Sequence, residues 1–307
     1  MRGFREIVVI SGKGGTGKTS VCAAFAALAR KAVVCDLDVD VPDLHIVLSP
    51  TPRETHDFLG GNKAVIDQQA CVQCGQCREL CRFGAVLERD GSFEVDTLAC
   101  EGCGVCQTLC PQQAIAFPEA LCGTWSVRAT RFGTLVHAQL VPGQENSGKL
   151  VQVLKTRARE EAEKEGASIL LCDGSPGIGC PVIASLSGAS LACAVVEPTL
   201  SGLHDFQRVA GVCRQFRIPV AVIVNRADLN PEAAGEFREL CSREGHAFLG
   251  EIPFDPAFPQ ACVQGLAVTE RDGPCQRRIR QIWDRLLALD PAALRGQRQG
   301  PLLKPLS

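Results

Sequence analysis

The stretch REIVVISGKGGTGKTSVCAAFAAL, residues 5–28, narrows the possible folds more than any other part of this chain. A short apolar run leads into a glycine loop, and the loop leads into an Ala-rich segment with helical character. Gly12–Thr19 fits the pattern G-x-x-x-x-G-K-[ST], which has meaning only between a strand and a helix. The physical reason is backbone geometry: glycines let N–H groups close around phosphate oxygens, and the helix N-terminus adds its dipole. Lys18 is then placed to reach the outer phosphates, and Thr19 offers a hydroxyl to magnesium. Gly12, Lys13, Gly14, Gly15, Thr16, Gly17, Lys18, Thr19 and Ser20 are therefore the candidate nucleotide-binding residues of this loop.

Four further apolar runs behave like buried strands: KAVVCDLD, ASILLCDGSPG, ASLACAVVEPT and IPVAVIVNRAD. Helical patterns separate them, so the expected fold is α/β with a mostly parallel sheet, and ligands should sit at the carboxyl ends of its strands. Asp36 and Asp38 close the second run with one residue between them, and so start on the same side of an extended chain. Two carboxylates near bound phosphates can hold Mg²⁺ or orient an attacking water. Asp173 ends the run ILLCD, where a second magnesium carboxylate belongs, and the Gly-Ser-Pro-Gly after it is flexible enough to respond to a γ-phosphate.

Composition removes several classes of function. The 32 basic and 34 acidic side chains nearly cancel, so no global field gathers nucleic acid or an anionic membrane surface, and neither is expected as a partner. The apolar runs are too short for a membrane span or a secretory segment. Eighteen cysteines in a chain of 307 residues with ample apolar content point to a reducing cytosol, where clustered thiols bind metal.

Between Leu48 and Val151 the strand–helix rhythm fails. SPTPRETH reads as a loop, WSVRATR and TLVHAQL read as a hairpin parted by Phe132 and Gly133, and KLVQVLKTRAREEAEKEG reads as an amphipathic helix ending at Gly166. The expected organisation is a discontinuous nucleotide domain over 1–63 and 119–290, an inserted module over 64–118, and a loosely ordered tail over 291–307.

The inserted module carries C-x2-C-x2-C-x3-C twice, the second run ending in Pro111. This is the bacterial two-cluster ferredoxin pattern, in which the fourth cysteine of each run ligates the other cluster. Cluster one would take Cys71, Cys74, Cys77 and Cys110; cluster two would take Cys100, Cys103, Cys106 and Cys81. Structural zinc is the alternative, although zinc ribbons pair two separated C-x2-C knuckles rather than three cysteines at two-residue gaps. The first run has Arg82 where the second has Pro111. Seven acidic residues stand against three arginines in 64–118, a balance that opposes adding an electron and favours low potential. Of the remaining thiols, Cys22, Cys35, Cys172, Cys193 and Cys213 read as small buried hydrophobes.

KGGTGKT, with its additional Lys13, resembles the deviant Walker A loop of the MinD/ParA and nitrogenase iron protein superfamily. The whole chain except the tail resembles members of that superfamily that carry an inserted ferredoxin domain. The resemblance implies that Lys13 reaches across a dimer to the partner's nucleotide, and that Lys13, Lys18 and Asp38 are catalytic, with Asp38 orienting the attacking water. Thr19, Asp36 and Asp173 would form the magnesium shell, and Asp40 and Asp43 a switch loop. Asn225 and Asp228 in VIVNRADL resemble the N-K-x-D guanine reader. In MinD-like ATPases, however, an asparagine at that strand end contacts adenine, so ATP is the expected nucleotide and Pro253 packs beside its base. A switch-region cysteine of the nitrogenase iron protein lies at an offset similar to that of Cys180, which marks Cys180 as a possible interface ligand.

These implications leave three functions open. The leading expectation is an ATPase, a homodimer or a heterodimer with a paralogue, whose closure gates electron transfer from two 4Fe–4S clusters to a redox partner or a metallocofactor-carrying protein. The alternative is a carrier whose clusters are cargo. A third is a MinD-like positioning switch, for which no basic amphipathic C-terminal helix is evident.

Overall fold

The computed structural model describes residues 3–29, 31–142 and 147–296. Thirteen strands occur among them: β1 (Arg5–Ile10), β2 (Ala32–Asp36), β3 (Thr51–Asn62), β4 (Val65–Ile66), β5 (Val86–Arg89), β6 (Ser92–Val95), β7 (Ile115–Ala116), β8 (Glu119–Thr130), β9 (Gly133–Leu140), β10 (Ile169–Asp173), β11 (Leu191–Val196), β12 (Val220–Asn225) and β13 (Ala247–Ile252). The chain divides into two compact units. The first gathers residues up to Thr55, Trp125–Gln139 and the chain from Ser147 onward; the second gathers His56–Thr124 with the short stretch after Leu140.

In the first unit the five apolar runs become β1, β2, β10, β11 and β12, joined in parallel in the order β12-β11-β1-β10-β2. All residues of β2, β10, β11 and β12 are buried, which is why these strands read as continuous apolar runs rather than alternating ones. β13 extends the parallel sheet beyond β12, and β9 runs parallel to β2 on the other side. The sheet order continues β9-β8-β3.

Helices follow the strands. Lys18–Leu28 buries Val21 through Ala26, with Phe25 against Trp283 of the helix Pro274–Ala288 at 4.8 Å between ring centroids. The small Ala side chains allow that close packing, and an aromatic pair of this kind adds about 1 kcal/mol to the burial itself. The helix Ser147–Lys164 presents Leu150, Leu154, Ala158 and Ala162 inward at helical spacing, and Gly166 follows at φ 60 as its left-handed exit.

Two local expectations need correction. SPTPRETH is not a loop: Thr51–Asn62 is the long strand β3 at the end of the sheet order, largely solvent-facing. An edge strand tolerates Pro52, and with one face open to water it shows no apolar alternation to read. The hairpin is also longer than WSVRATR suggests, with β8 starting at Glu119 and the connection falling on Arg131 and Phe132.

The second unit has two short antiparallel pairs, β4 with β7 and β5 with β6. Its core is small: Ala64, Ile66, Ala85, Val86, Phe93, Cys100 and Ile115, with several more cysteines packed against it. Of the expected tail, Pro291–Gly296 form a short helix, and 297–307 lie outside the described residues.

Candidate functional site

The loop after β1 is shaped by its neighbours as much as by its glycines. Gly17 has φ 88 and caps the helix Lys18–Leu28, and a Cβ there would lie 2.5 Å from Asn225 Nδ2. That side chain, from the end of β12, donates to the Thr16 carbonyl at 2.8 Å. Gly12 is equally constrained, because a Cβ would meet Asp205 at 2.4 Å. Thr16 Oγ1 is buried without a hydrogen-bond partner, an acceptor and donor left over in a loop of N–H groups.

Lys18, Thr19, Asp36, Asp38 and Asp173 converge although the sequence separates them widely. Register explains the pairing of carboxylates: Asp36 and Asp173 are partners across parallel strands β2 and β10. Lys18 Nζ stands 2.9 Å from Asp173 Oδ1 and 3.6 Å from Asp38 Oδ2, and Thr19 Oγ1 donates to Asp173 Oδ2 at 2.6 Å. Burial works against the charge on Lys18, but the facing aspartates outweigh it and hold its pKa above the usual lysine value. For Asp36 burial dominates and the Asp173 charge adds to it, pushing its carboxyl well above the ordinary range. Asp38 is raised too, first by burial, with Lys18 pulling the other way.

Asp36 also organises the chain that follows. Its two oxygens accept the N–H groups of Asp38 at 3.1 Å and Leu44 at 3.2 Å, so the segment carrying Asp40 and Asp43 is wrapped around one buried carboxylate. Asp40 and Asp43 themselves are exposed. The donor set of Thr19, Asp36 and Asp173 fits Mg²⁺, a hard ion that takes oxygen ligands and would discharge the repulsion between two adjoining buried carboxylates.

On the other side of the loop an open cavity is lined by Gly17, Ser20, Asn225, Arg226, Pro253 and Phe254, among others. Asn225 and Pro253 thus meet at one place. Asp228 is engaged elsewhere, its carboxylate accepting the Phe254 N–H at 2.5 Å, so it is tied to backbone rather than presented to a base. Lys13 Nζ pairs with Glu197 Oε2 at 3.1 Å, and Arg226 holds the other oxygen of the same carboxylate. Sequence reasoning missed Glu197 and Arg226. The available signal was position alone, since each directly follows a core strand at its carboxyl end.

In the second unit the two cysteine runs are built alike. Asp67 and Asp96 each accept, four residues on, the N–H of Cys71 and Cys100 at 3.0 Å. Gly75 and Gly104, both left-handed, cap the short helices Gln76–Leu80 and Val105–Thr108. Ala85 and Ala114 donate their N–H groups to Cys81 Sγ at 3.3 Å and Cys110 Sγ at 3.4 Å. Burial pushes the thiols of Cys77 and Cys106 up, with backbone N–H groups of Arg78 and Gln107 opposing it.

Two small cavities divide the eight thiols between them. Cys71, Cys74, Cys77 and Cys110 line one; Cys81, Cys100, Cys103 and Cys106 line the other. Among the described residues, no three His, Cys, Asp or Glu side chains gather closely enough to hold a metal ion. Of the other cysteines, Cys22, Cys35, Cys172, Cys193 and Cys213 are buried, and burial pushes the Cys193 thiol up to about 12. Cys180 is exposed at the start of the helix Cys180–Leu186.

The first unit is thus a P-loop nucleotide site at the carboxyl edge of a parallel sheet. Residues 7–268 match the CobQ/CobB/MinD/ParA nucleotide binding domain, and the chain belongs to that family. It is a MinD/ParA-type ATPase. An uncharacterised Methanocaldococcus jannaschii protein, MJ0578, is 28% identical over 284 residues, covering 92% of this chain and 96% of that protein. The fold is similar to the septum site-determining protein MinD of Pyrococcus horikoshii in complex with Mg-ADP, with TM-score 0.55, 17% identity, and 95% and 98% of the two chains covered. It is similar also to a Cyanothece McdA–ATP complex, with TM-score 0.58, 14% identity, and 94% and 99% covered. No helix among the described residues is long and apolar enough to cross a membrane.

Proposed function

We propose that this ATPase works as a nucleotide-operated switch, in which ATP draws two chains together and hydrolysis releases them. The observation that carries this reading is the convergence of Lys18, Asp36, Asp38 and Asp173 on one loop, with the segment after Asp36 wrapped around its carboxylate. Incoming phosphates would take Lys18 from Asp173 and Asp38. Mg²⁺ held by Thr19, Asp36 and Asp173 would shield phosphate charge. Asp38, released from Lys18 and with its pKa raised, is suited to accept a hydrogen bond from the attacking water. A change at Asp36 would pull directly on the Asp38 and Leu44 N–H groups, and so carry occupancy of the site into residues 38–44.

This reading departs from the leading expectation of an electron carrier. Solved proteins of similar fold include MinD and McdA, the first named as septum site-determining, and neither name speaks of electron transfer. A MinD-like switch therefore has the better support. The test is association in solution: the chain should be monomeric with ADP and dimeric with a slowly hydrolysed ATP analogue, and Lys18→Ala should abolish both dimerisation and hydrolysis.

One observation favours a second, compatible reading of residues 64–118. The eight thiols line two cavities, each with three cysteines of one run and the fourth of the other. That division suits two 4Fe–4S clusters, whose four irons hold their thiolates further apart than a single ion would, and backbone N–H groups directed at sulfur suit them as well. Cys71, Cys74, Cys77 and Cys110 would hold one cluster, and Cys100, Cys103, Cys106 and Cys81 the other, within a module inserted into an ATPase domain of 1–63 and 119–290. Such clusters would supply one-electron storage to a cytosolic protein, and the switch would then present them to a redox partner. Anaerobic reconstitution should yield iron and acid-labile sulfide in equal amounts, sufficient for two clusters. Zinc without sulfide would overturn this reading and leave the ATPase untouched.

A further inference from the structure

Glu197 joins the loop after β1 to the turn after β12, two segments that both line the cavity beside Gly17. It follows β11 directly, and its carboxylate bridges Lys13 Nζ at 3.1 Å and the Arg226 guanidinium. Only 12% of its side chain is exposed, against 33% for Lys13. The backbone beneath it is fixed. Its carbonyl accepts the Thr199 N–H at 2.8 Å, and Gly202 packs so closely on that carbonyl that a Cβ would come within 2.3 Å. Of the two partners, then, the carboxylate is anchored, and the lysine, on a flexible four-carbon stem, is the one free to leave.

If the chain closes as a dimer with Lys13 on the partner's nucleotide, the lysine must first abandon Glu197, because one ammonium cannot satisfy both. We propose that Glu197 is a positioning residue that keeps Lys13 within its own chain until ATP-driven association captures it. This inference rests on the switch reading above. Arg226 makes the exchange reversible: with a guanidinium already on its second oxygen, Glu197 is not left bare when Lys13 departs. Breaking a buried pair with a single partner would be much more costly. Arg226 also follows Asn225 and lines the cavity beside the loop, so the counter-ion that stays behind is part of the nucleotide's own surroundings.

The test uses the full chain with a slowly hydrolysed ATP analogue, with self-association followed by sedimentation velocity. Glu197→Gln should tighten nucleotide-dependent association by about fivefold, the scale expected for a partly exposed ion pair. In the Lys13→Ala background, read at chain concentrations high enough to give residual association, the same substitution should change nothing, a dependence that a merely structural role of Glu197 would not produce. Glu197→Asp, which keeps the charge on a shorter stem, should fall between wild type and Glu197→Gln. Unchanged or weaker association in Glu197→Gln, or an effect that persists without Lys13, overturns the inference while leaving the switch intact. A wild-type chain that does not associate with the analogue overturns the switch reading, and this inference with it.

Discussion

The nucleotide site and the cysteine unit solve the problem of buried polar chemistry in opposite ways. Around the loop the protein supplies its own counter-charges: Lys18 faces Asp173 and Asp38, Asp36 is capped by two N–H groups, and Lys13 and Arg226 share Glu197. Its carboxylates Asp36 and Asp173 end β2 and β10, strands buried throughout. The second unit has a core of seven buried residues, one of them Cys100, and its thiols face two cavities. A unit this small ordinarily needs a metal or another covalent staple to be stable. On the readings proposed above, the difference separates a site that ligand binding would rearrange from a unit whose stability would depend on what fills it.

The largest effects should come from removing the internal counter-charges. Lys18→Ala and Asp38→Ala should each lower ATP hydrolysis by roughly a hundredfold or more, the scale of losing one electrostatic group from a reacting centre. Asp38→Ala should still bind nucleotide, measured by equilibrium dialysis; loss of binding would mean that Asp38 holds the loop rather than the water. The cysteine unit should answer differently. Cys77→Ser or anaerobic chelation should expose residues 56–124 to protease while leaving nucleotide affinity within about twofold. Parallel loss of both would show that the two regions fold as one.

Two smaller effects probe the buried titratable groups. Because burial and Asp173 hold the Asp36 carboxyl well above its ordinary range, it protonates at a pH where exposed carboxylates remain charged. Magnesium affinity should therefore weaken as pH falls through that raised pKa. Asp36→Asn should give weak, pH-independent binding. His137, on β9, bonds Ser126 Oγ at 3.0 Å and stacks on His45. Burial, then Arg128 and His45, lower its pKa from 6.5 to about 4. Above 6.5 it is neutral folded or unfolded. Between 6.5 and 4 only the unfolded chain takes the proton, so stability should decline by up to about 3 kcal/mol and then level off. His137→Gln should flatten that part of the denaturation profile.

What could be read in advance follows from how local each feature is. The loop from Gly12 to Ser20 is contiguous, and its spacing alone assigns it. Asp36 and Asp173 were legible because each ends an apolar run, and their adjacency is then a matter of strand register. β3 was illegible, since an edge strand carrying Pro52 and facing water has no periodic signature. β13 was passed over for a related reason, its six residues being interrupted by Gly250 at φ 147. Glu197 and Arg226 act only through a triad with Lys13 that joins three loops distant in sequence, and no spacing rule predicts such a meeting. The likeness of the two cysteine runs was evident, but not that Asp67 and Asp96, or Ala85 and Ala114, repeat the same bonds.

A switch differs from a static nucleotide pocket in that its oligomeric state follows the nucleotide. Sedimentation velocity of the full chain with ADP, and then with a slowly hydrolysed ATP analogue, tests this most directly. A switch should give a monomer with ADP, a dimer with the analogue, and a monomer in both for Lys18→Ala. The same oligomeric state with both nucleotides would contradict it.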